Sequence, residues 1–199
     1  ACGGRAAVTF FEPGPVKARA EKIMKRAFTL ASCALLLAAC AATSEQQVPS
    51  AVAKLDAKGG SQGRGEIKFT QVGSRVRVEG EVTGLAPGAK GLHIHEKGDC
   101  SAADAASAGG HFDPREPKNW STRHGGPHSA ERHAGDLGNI VFDQNGKAAV
   151  NMMVGGIAVD RGPIGIIGRA LVVHFQADDL KTDPTGDAGA RAACGVIER

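Results

Sequence analysis

The chain has 199 residues, enough for one domain of ordinary size with room for a leader or tail. Its 24 Lys and Arg against 21 Asp and Glu leave a net charge of +3, too weak a bias for a nucleic-acid protein. Gly is high at 28 residues and 42% of the chain is hydrophobic, which excludes a disordered chain and favours short strands joined by turns.

Lys25 and Arg26 precede a mostly apolar stretch from Ala27 to Ala39. A bilayer-spanning helix needs ~20 residues, so this stretch is too short to span; residues 24–39 read as a secretory signal peptide. Its end, Leu37-Ala38-Ala39-Cys40, resembles the lipobox of bacterial lipoproteins. That resemblance implies lipid on Cys40 and, because Ala41 follows rather than Asp, sorting to the outer membrane. Residues 1–23 precede Met24 and are expected to be an upstream extension absent from the native protein. Residues 40–52 read as a polar, small-residue linker, and 53–199 as the folded domain.

The domain reads as all-β. Val52–Leu55 is a weak first strand and Ile67–Phe69 a second. Val76–Val82 alternates, which puts Val76, Val78 and Val82 on one face. Thr83–Gly88 is a turn, and Leu92–His95 a strand with His93 and His95 on one face. Ile140–Phe142 and Ala148–Val150 flank the hairpin signal Asp143-Gln144-Asn145-Gly146. Ile166–Val173 is a long apolar run, and Ala193–Ile197 a last strand. No helical periodicity alternates with these strands, so a Greek-key barrel or sandwich of about eight antiparallel strands is expected rather than a parallel α/β fold.

Between His95 and Ile140 runs a long polar stretch rich in Gly and Pro, and loops of that length are usually functional. Five of the seven His lie in it or at its edge. The pair His93 and His95 can share a metal from one strand face, but alone it fits surface or core histidines as well. His111, His124, His133, Asp136 and His174 add donors suited to copper and zinc.

The pieces Gly91-Leu92-His93-Ile94-His95-Glu96, Gly109-Gly110-His111-Phe112, His124-Gly125-Gly126-Pro127, Gly135-Asp136-Leu137-Gly138-Asn139, Gly168-Arg169-Ala170-Leu171-Val172-Val173-His174, Ala177-Asp178-Asp179-Leu180 and Gly189-Ala190-Arg191-Ala192-Ala193-Cys194-Gly195 run in one order to the chain's end. Together they resemble copper/zinc superoxide dismutase, in its bacterial secreted form. The resemblance implies dismutation of superoxide to oxygen and hydrogen peroxide, with one copper and one zinc per subunit. It implies His93, His95, His111 and His174 on copper, and His111, His124, His133 and Asp136 on zinc, with His111 bridging. Asp178 would accept hydrogen bonds from His93 and His124 and so orient one ligand of each metal. Arg191 would guide the anion to copper, and His111 would take part in catalysis by holding a proton. Cys100 and Cys194 would form a disulfide. The loops from Cys100 to His111 and from His111 to His124 are longer than in the eukaryotic form, and the stretch from His174 to Arg191 is shorter, as in the bacterial branch.

His128 matches no ligand position and reads as a solvated loop residue, while Asp113 and Asp179 read as turn-forming. Trp120 reads as loop packing. The expected location is the periplasm, lipid-anchored to the outer membrane, with superoxide as the small-molecule partner, no nucleic acid, and a monomer or homodimer. A periplasmic copper/zinc buffer or chaperone on the same fold is the rival reading. Phosphate-loop and hydrolase readings fail, since no Walker lysine and no G-x-S-x-G occur. Without residues 1–39, 18 basic residues face 19 acidic ones, so the positive charge belongs to the leader. The five Cys would divide the same way: Cys2 and Cys33 would leave, Cys40 would take lipid, and Cys100 and Cys194 would pair.

Overall fold

A computed structural model describes residues 47–115 and 123–199. The expected upstream extension, signal peptide, lipidated Cys40 and Trp120 lie outside the described residues.

Eight strands follow one another: β1 (Ser50–Ala57), β2 (Arg64–Val72), β3 (Arg75–Thr83), β4 (Gly88–His95), β5 (Asp136–Phe142), β6 (Lys147–Gly155), β7 (Ala170–His174) and β8 (Arg191–Glu198). All pairings between them are antiparallel, in the order β5-β4-β7-β8-β1-β2-β3-β6. The strands at the two ends of that order, β5 and β6, are joined by the Asp143–Gly146 turn, so the sheet forms a nearly closed barrel. The expected all-β Greek-key architecture is therefore present.

Two kinds of strand build it. On β1, β2 and β3 one face is buried and apolar and the other mostly polar; β6 alternates in burial too, with Ala149 and Met153 among its outer residues. Leu55, Ile67, Phe69, Val76, Val78, Val82 and Val150 fill the barrel, all nearly inaccessible to solvent. The outer face carries opposed charges such as Lys54 across from Glu66 and Lys68 across from Glu79. The second kind is β7, buried along its whole length. Leu171 and Val173 point into the barrel core. Ala170 and Val172 pack outward, with Cys194 of β8, against Ala105, Ala108 and Cys100 of the long loop. A strand covered on both faces reads as a continuous apolar run, which explains the sequence there.

The run from Ile166 is not one strand. β7 begins only at Ala170, and Ile166 and Ile167 are buried in the preceding loop. Gly168 breaks the run with φ +84°, and its N–H donates to Ile197 O at 2.9 Å. The strands also run longer than the pattern. β1 starts at Ser50, inside the segment read as linker; β2 extends to both sides of Ile67–Phe69; β4 starts at Gly88, the last residue of the expected turn; β6 continues to Gly155; and β5 starts at Asp136, where His93 pairs with it across a register shift. Strand ends depend on partners, which periodicity does not report.

Among the described residues, the long loop is held by contacts more than by regular elements. It holds a short 3-10 turn, Ala106–Ala108, and a bridge from His111 to His95. The Cys100–Cys194 disulfide ties it to β8.

Candidate metal centre

The site lies on the outward face of β4 and β7. Alternation along β4 sends Leu92 and Ile94 into the core and turns His93 and His95 the other way. His174 ends β7, and the bridge with His95 sets His111 against β4. The rings of His93 and His111 stand 4.1 Å apart, and those of His95 and His111 5.0 Å.

Each of these four rings has one nitrogen committed and one bare. His93 Nε2 donates to Asp178 Oδ2 at 2.8 Å, His95 Nδ1 to Gly109 O at 2.9 Å and His174 Nδ1 to Gly189 O at 3.0 Å. Carboxylate and carbonyl oxygens only accept, so these nitrogens carry the protons. His111 Nδ1 lies 2.7 Å from Asp136 Oδ1. The opposite nitrogens, His93 Nδ1, His95 Nε2, His111 Nε2 and His174 Nε2, are buried without a hydrogen-bond partner among the described residues. Buried polar atoms are nearly always satisfied. Four lone pairs within 4.8 Å of one another, left bare together, are what a metal with a preference for imidazole requires.

Electrostatics keep those of His95, His111 and His174 bare. Burial pushes the His95 imidazole well below its ordinary pKa, and the neighbouring His111 adds to the effect. His174 falls to about 3 through burial and then His93. His111 falls to about 4, because burial outweighs the hydrogen bond to Asp136. These three rings are neutral at pH 7 and can ligate without losing a proton from the bare nitrogen.

The second group shares His111. His111, His124, His133 and Asp136 bring one ligand atom each within 4.8 Å of one another. Asp136 Oδ1 lies 2.7 Å from His111 Nδ1 and 3.3 Å from His133 Nδ1, and 3.2 Å from His124 Nδ1 without the alignment of a hydrogen bond. Its other oxygen accepts from Gly125 N at 3.1 Å and His133 N at 2.9 Å. Burial would raise the Asp136 pKa, but the imidazoles of His111, His124 and His133 gathered around it hold it far below the usual carboxylate range. Burial would lower that of His124, yet Asp136 and Asp178 lift it to about 9. His124 is thus protonated on both nitrogens in the metal-free chain, and a cation bound at Nδ1 takes the place of one proton. Three imidazoles and a carboxylate suit a closed four-coordinate zinc.

Asp178 joins the two groups. Oδ2 accepts from His93 and Oδ1 from His124 Nε2, both at 2.8 Å. It is held in turn by Asn139, whose Nδ2 donates to Asp178 O and whose Oδ1 accepts from Asp178 N, both at 2.8 Å. Gly186 sits over this junction at φ +66°, and a Cβ there would overlap Asp178 Oδ1 and His124 Nε2.

Arg191 is half-buried at the start of β8. Its guanidinium donates to Ala105 O and Gly109 O, both at 2.5 Å. Because Gly109 O also accepts from His95, the guanidinium is fixed beside the four-histidine group. Its charge reaches His95 and His174 and helps to depress both.

The structure therefore brings together the seven residues singled out for metals and the carboxylate of Asp178 that joins them, with Arg191 alongside. His128 is exposed and takes no part. Asp113 pairs with Arg115, and Asp179 caps the turn at Thr182, as turn chemistry requires. Sequence reasoning gave no role to Asn139, to Asp183, whose Oδ1 accepts from His124 N at 2.6 Å, or to Gly186. Asn139 stood inside a quoted motif, but nothing in its spacing to Asp178 signals contact.

Residues 63–197 match the copper/zinc superoxide dismutase family. Over 179 residues the chain is 36% identical to a Cu-Zn superoxide dismutase of Deinococcus radiodurans, covering 85% of this chain and 93% of that protein. It is 42% identical over 148 residues to an extracellular Cu-Zn superoxide dismutase of Haemonchus contortus, covering 70% of this chain and 77% of that one. Among solved structures, the crystal structure of the clock protein EA4 superposes with a TM-score of 0.68 at 44% identity, covering 77% of this chain and 96% of that chain.

Proposed function

This chain belongs to the copper/zinc superoxide dismutase family and dismutates superoxide with copper and zinc, and on that premise we propose which residues do the work and where. His93, His95, His111 and His174 would hold copper, and His111, His124, His133 and Asp136 would hold zinc, with His111 common to both groups. The observation that carries this reading is the set of four bare imidazole nitrogens beside a fixed guanidinium.

Bound copper supplies alternating one-electron oxidation and reduction, so that two superoxide anions and two protons give oxygen and hydrogen peroxide. The protein supplies three things. Arg191, always charged and clamped by two carbonyls, attracts and aligns the anion at the mouth of the four-histidine group. With zinc in place of the proton on Nδ1, His111 Nε2 would be the atom that carries a proton for the peroxide when it is not bonded to copper. Asp178 keeps the rings of His93 and His124 in register, so both groups hold their shape through the cycle.

The protein acts outside the cytoplasm. The disulfide suits an oxidising compartment, and an extracellular relative points the same way. The finer reading is a bacterial periplasmic lipoprotein: 24–39 are its signal peptide, Cys40 carries lipid, and 40–52 link the anchor to the domain at 53–199. It protects the cell envelope from superoxide as a monomer or homodimer.

Metal analysis beside a superoxide-consumption assay tests the site. The expected result is one copper and one zinc per chain with fast turnover, and loss of copper in His174→Ala. Full copper retention in that variant would overturn the ligand set; full metal content without turnover would favour a metal buffer. Intact mass of membrane-extracted protein tests the anchor, with an unlipidated chain beginning before Cys40 as the refuting result.

A further inference from the structure

We infer that Arg132 is a positioning residue for zinc: its guanidinium shapes the turn that presents His133 and Asp136 and fastens that turn to the end of β6. The inference rests on the zinc ligand set proposed above.

Arg132 is half-buried, immediately before the turn. Its Nη1 donates to three backbone carbonyls in succession, His133 O at 2.8 Å, Ala134 O at 3.1 Å and Asp136 O at 3.3 Å. Its Nη2 donates to Gly155 O, the last residue of β6, at 2.9 Å. Two of the three turn carbonyls belong to ligand residues, so the guanidinium grips their backbone and leaves their side chains free. The backbone of Arg132 is gripped as well: Arg115 Nη2 donates to Arg132 O at 2.5 Å while pairing with Asp113, two residues from His111.

This geometry answers a difficulty in the site. The turn must place a carboxylate and an imidazole on one cation although β5 begins only at Asp136. The donors inside the site, His111 Nδ1 and the His133 N–H, are taken up by the Asp136 carboxylate, and the turn closes with Asp136 N donating to His133 O at 3.1 Å, so Arg132 adds donors to that turn from outside. A planar fork spans the turn and Gly155 together; a lysine ammonium, a point donor on a flexible stem, cannot reach all four carbonyls. Arg132 touches none of the four nitrogens turned toward copper, so its loss affects the zinc group selectively.

The test compares Arg132→Gln and Arg132→Lys with Arg75→Gln. Arg75 Nη2 makes a similar bond to a backbone carbonyl, Met153 O at 2.7 Å, away from the turn, and controls for the generic loss of such a bond. Two quantities are read: zinc affinity by chelator competition, and the visible spectrum of cobalt(II) placed in the zinc site, which reports coordination geometry. Orienting residues outside a metal's ligands typically change affinity by about 10–100-fold. Arg132→Gln is expected to weaken zinc within that range and alter the cobalt spectrum, Arg132→Lys to recover only part, and Arg75→Gln to change neither. Zinc affinity within about twofold of wild type in Arg132→Gln, or an equal loss in Arg75→Gln, would overturn the inference. Should Arg132→Gln not fold, a folded Arg132→Lys with wild-type zinc affinity and cobalt spectrum overturns it equally. His133→Ala, run in parallel, separates the two levels: unchanged zinc affinity there defeats the ligand set itself.

Discussion

Reduction of the Cys100–Cys194 disulfide offers a quantitative test of how the site-bearing loop is held. The two cysteines are 94 positions apart. Freeing a loop of that length returns roughly 16 cal/mol/K to the unfolded chain by the chain-entropy relation, or about 4.7 kcal/mol at 25 °C. The folded state has reason to survive the cut. Gly59 N still donates to Ala103 O, Arg191 still holds Ala105 O and Gly109 O, and Ala105, Ala108 and Val172 remain packed around Cys194. The effect therefore falls mainly on the unfolded ensemble. The assay is urea unfolding of metal-free protein, oxidised against reduced, with thiol titration to confirm reduction. Metal-free chains are used because bound metal would add its own stabilisation. The expected loss is about 3–5 kcal/mol, or roughly 10–15 °C in Tm for a chain of this size. A loss under about 1 kcal/mol with an unchanged urea slope would refute the loop-closure reasoning.

Three further outcomes follow from the site. Asp178→Asn offers one carbonyl oxygen where two N–H donors converge, and its amide N–H faces the other donor; zinc affinity should fall about 10–100-fold, and an unchanged affinity would contradict the role of Asp178. Arg191→Glu should slow turnover by between ten- and a thousand-fold and make the rate rise with salt instead of fall, with both metals retained; an unchanged rate would remove Arg191 from substrate guidance. Gly186→Ala meets both a positive φ and the Asp178–His124 junction, so it should cost about 1–3 kcal/mol and lower zinc content; full zinc content would show that the junction can yield.

Much of the fold was legible because most strands have one wet face. Val76, Val78 and Val82 alternate in sequence and are all fully buried. The long run from Ile166 misled for a physical reason: a buried loop and a strand buried on both faces have the same hydrophobicity, and only the turn at Gly168 separates them. His93 and His95 could be placed on one strand face, but two rings do not make a site. The motif resemblance supplied the remaining donors.

The sequence by itself determined the donor inventory, the alternation that turns His93 and His95 away from the core, and the two cysteines available to the domain. Tertiary structure alone decided which nitrogen of each ring is free, because that depends on whether Asp178, Gly109 O, Gly189 O or Asp136 occupies the other one. These acceptors lie 14 to 85 positions from the rings they hold. A proton's place on an imidazole is a contact property, and such contacts exist only after β4, β7 and the long loop have met.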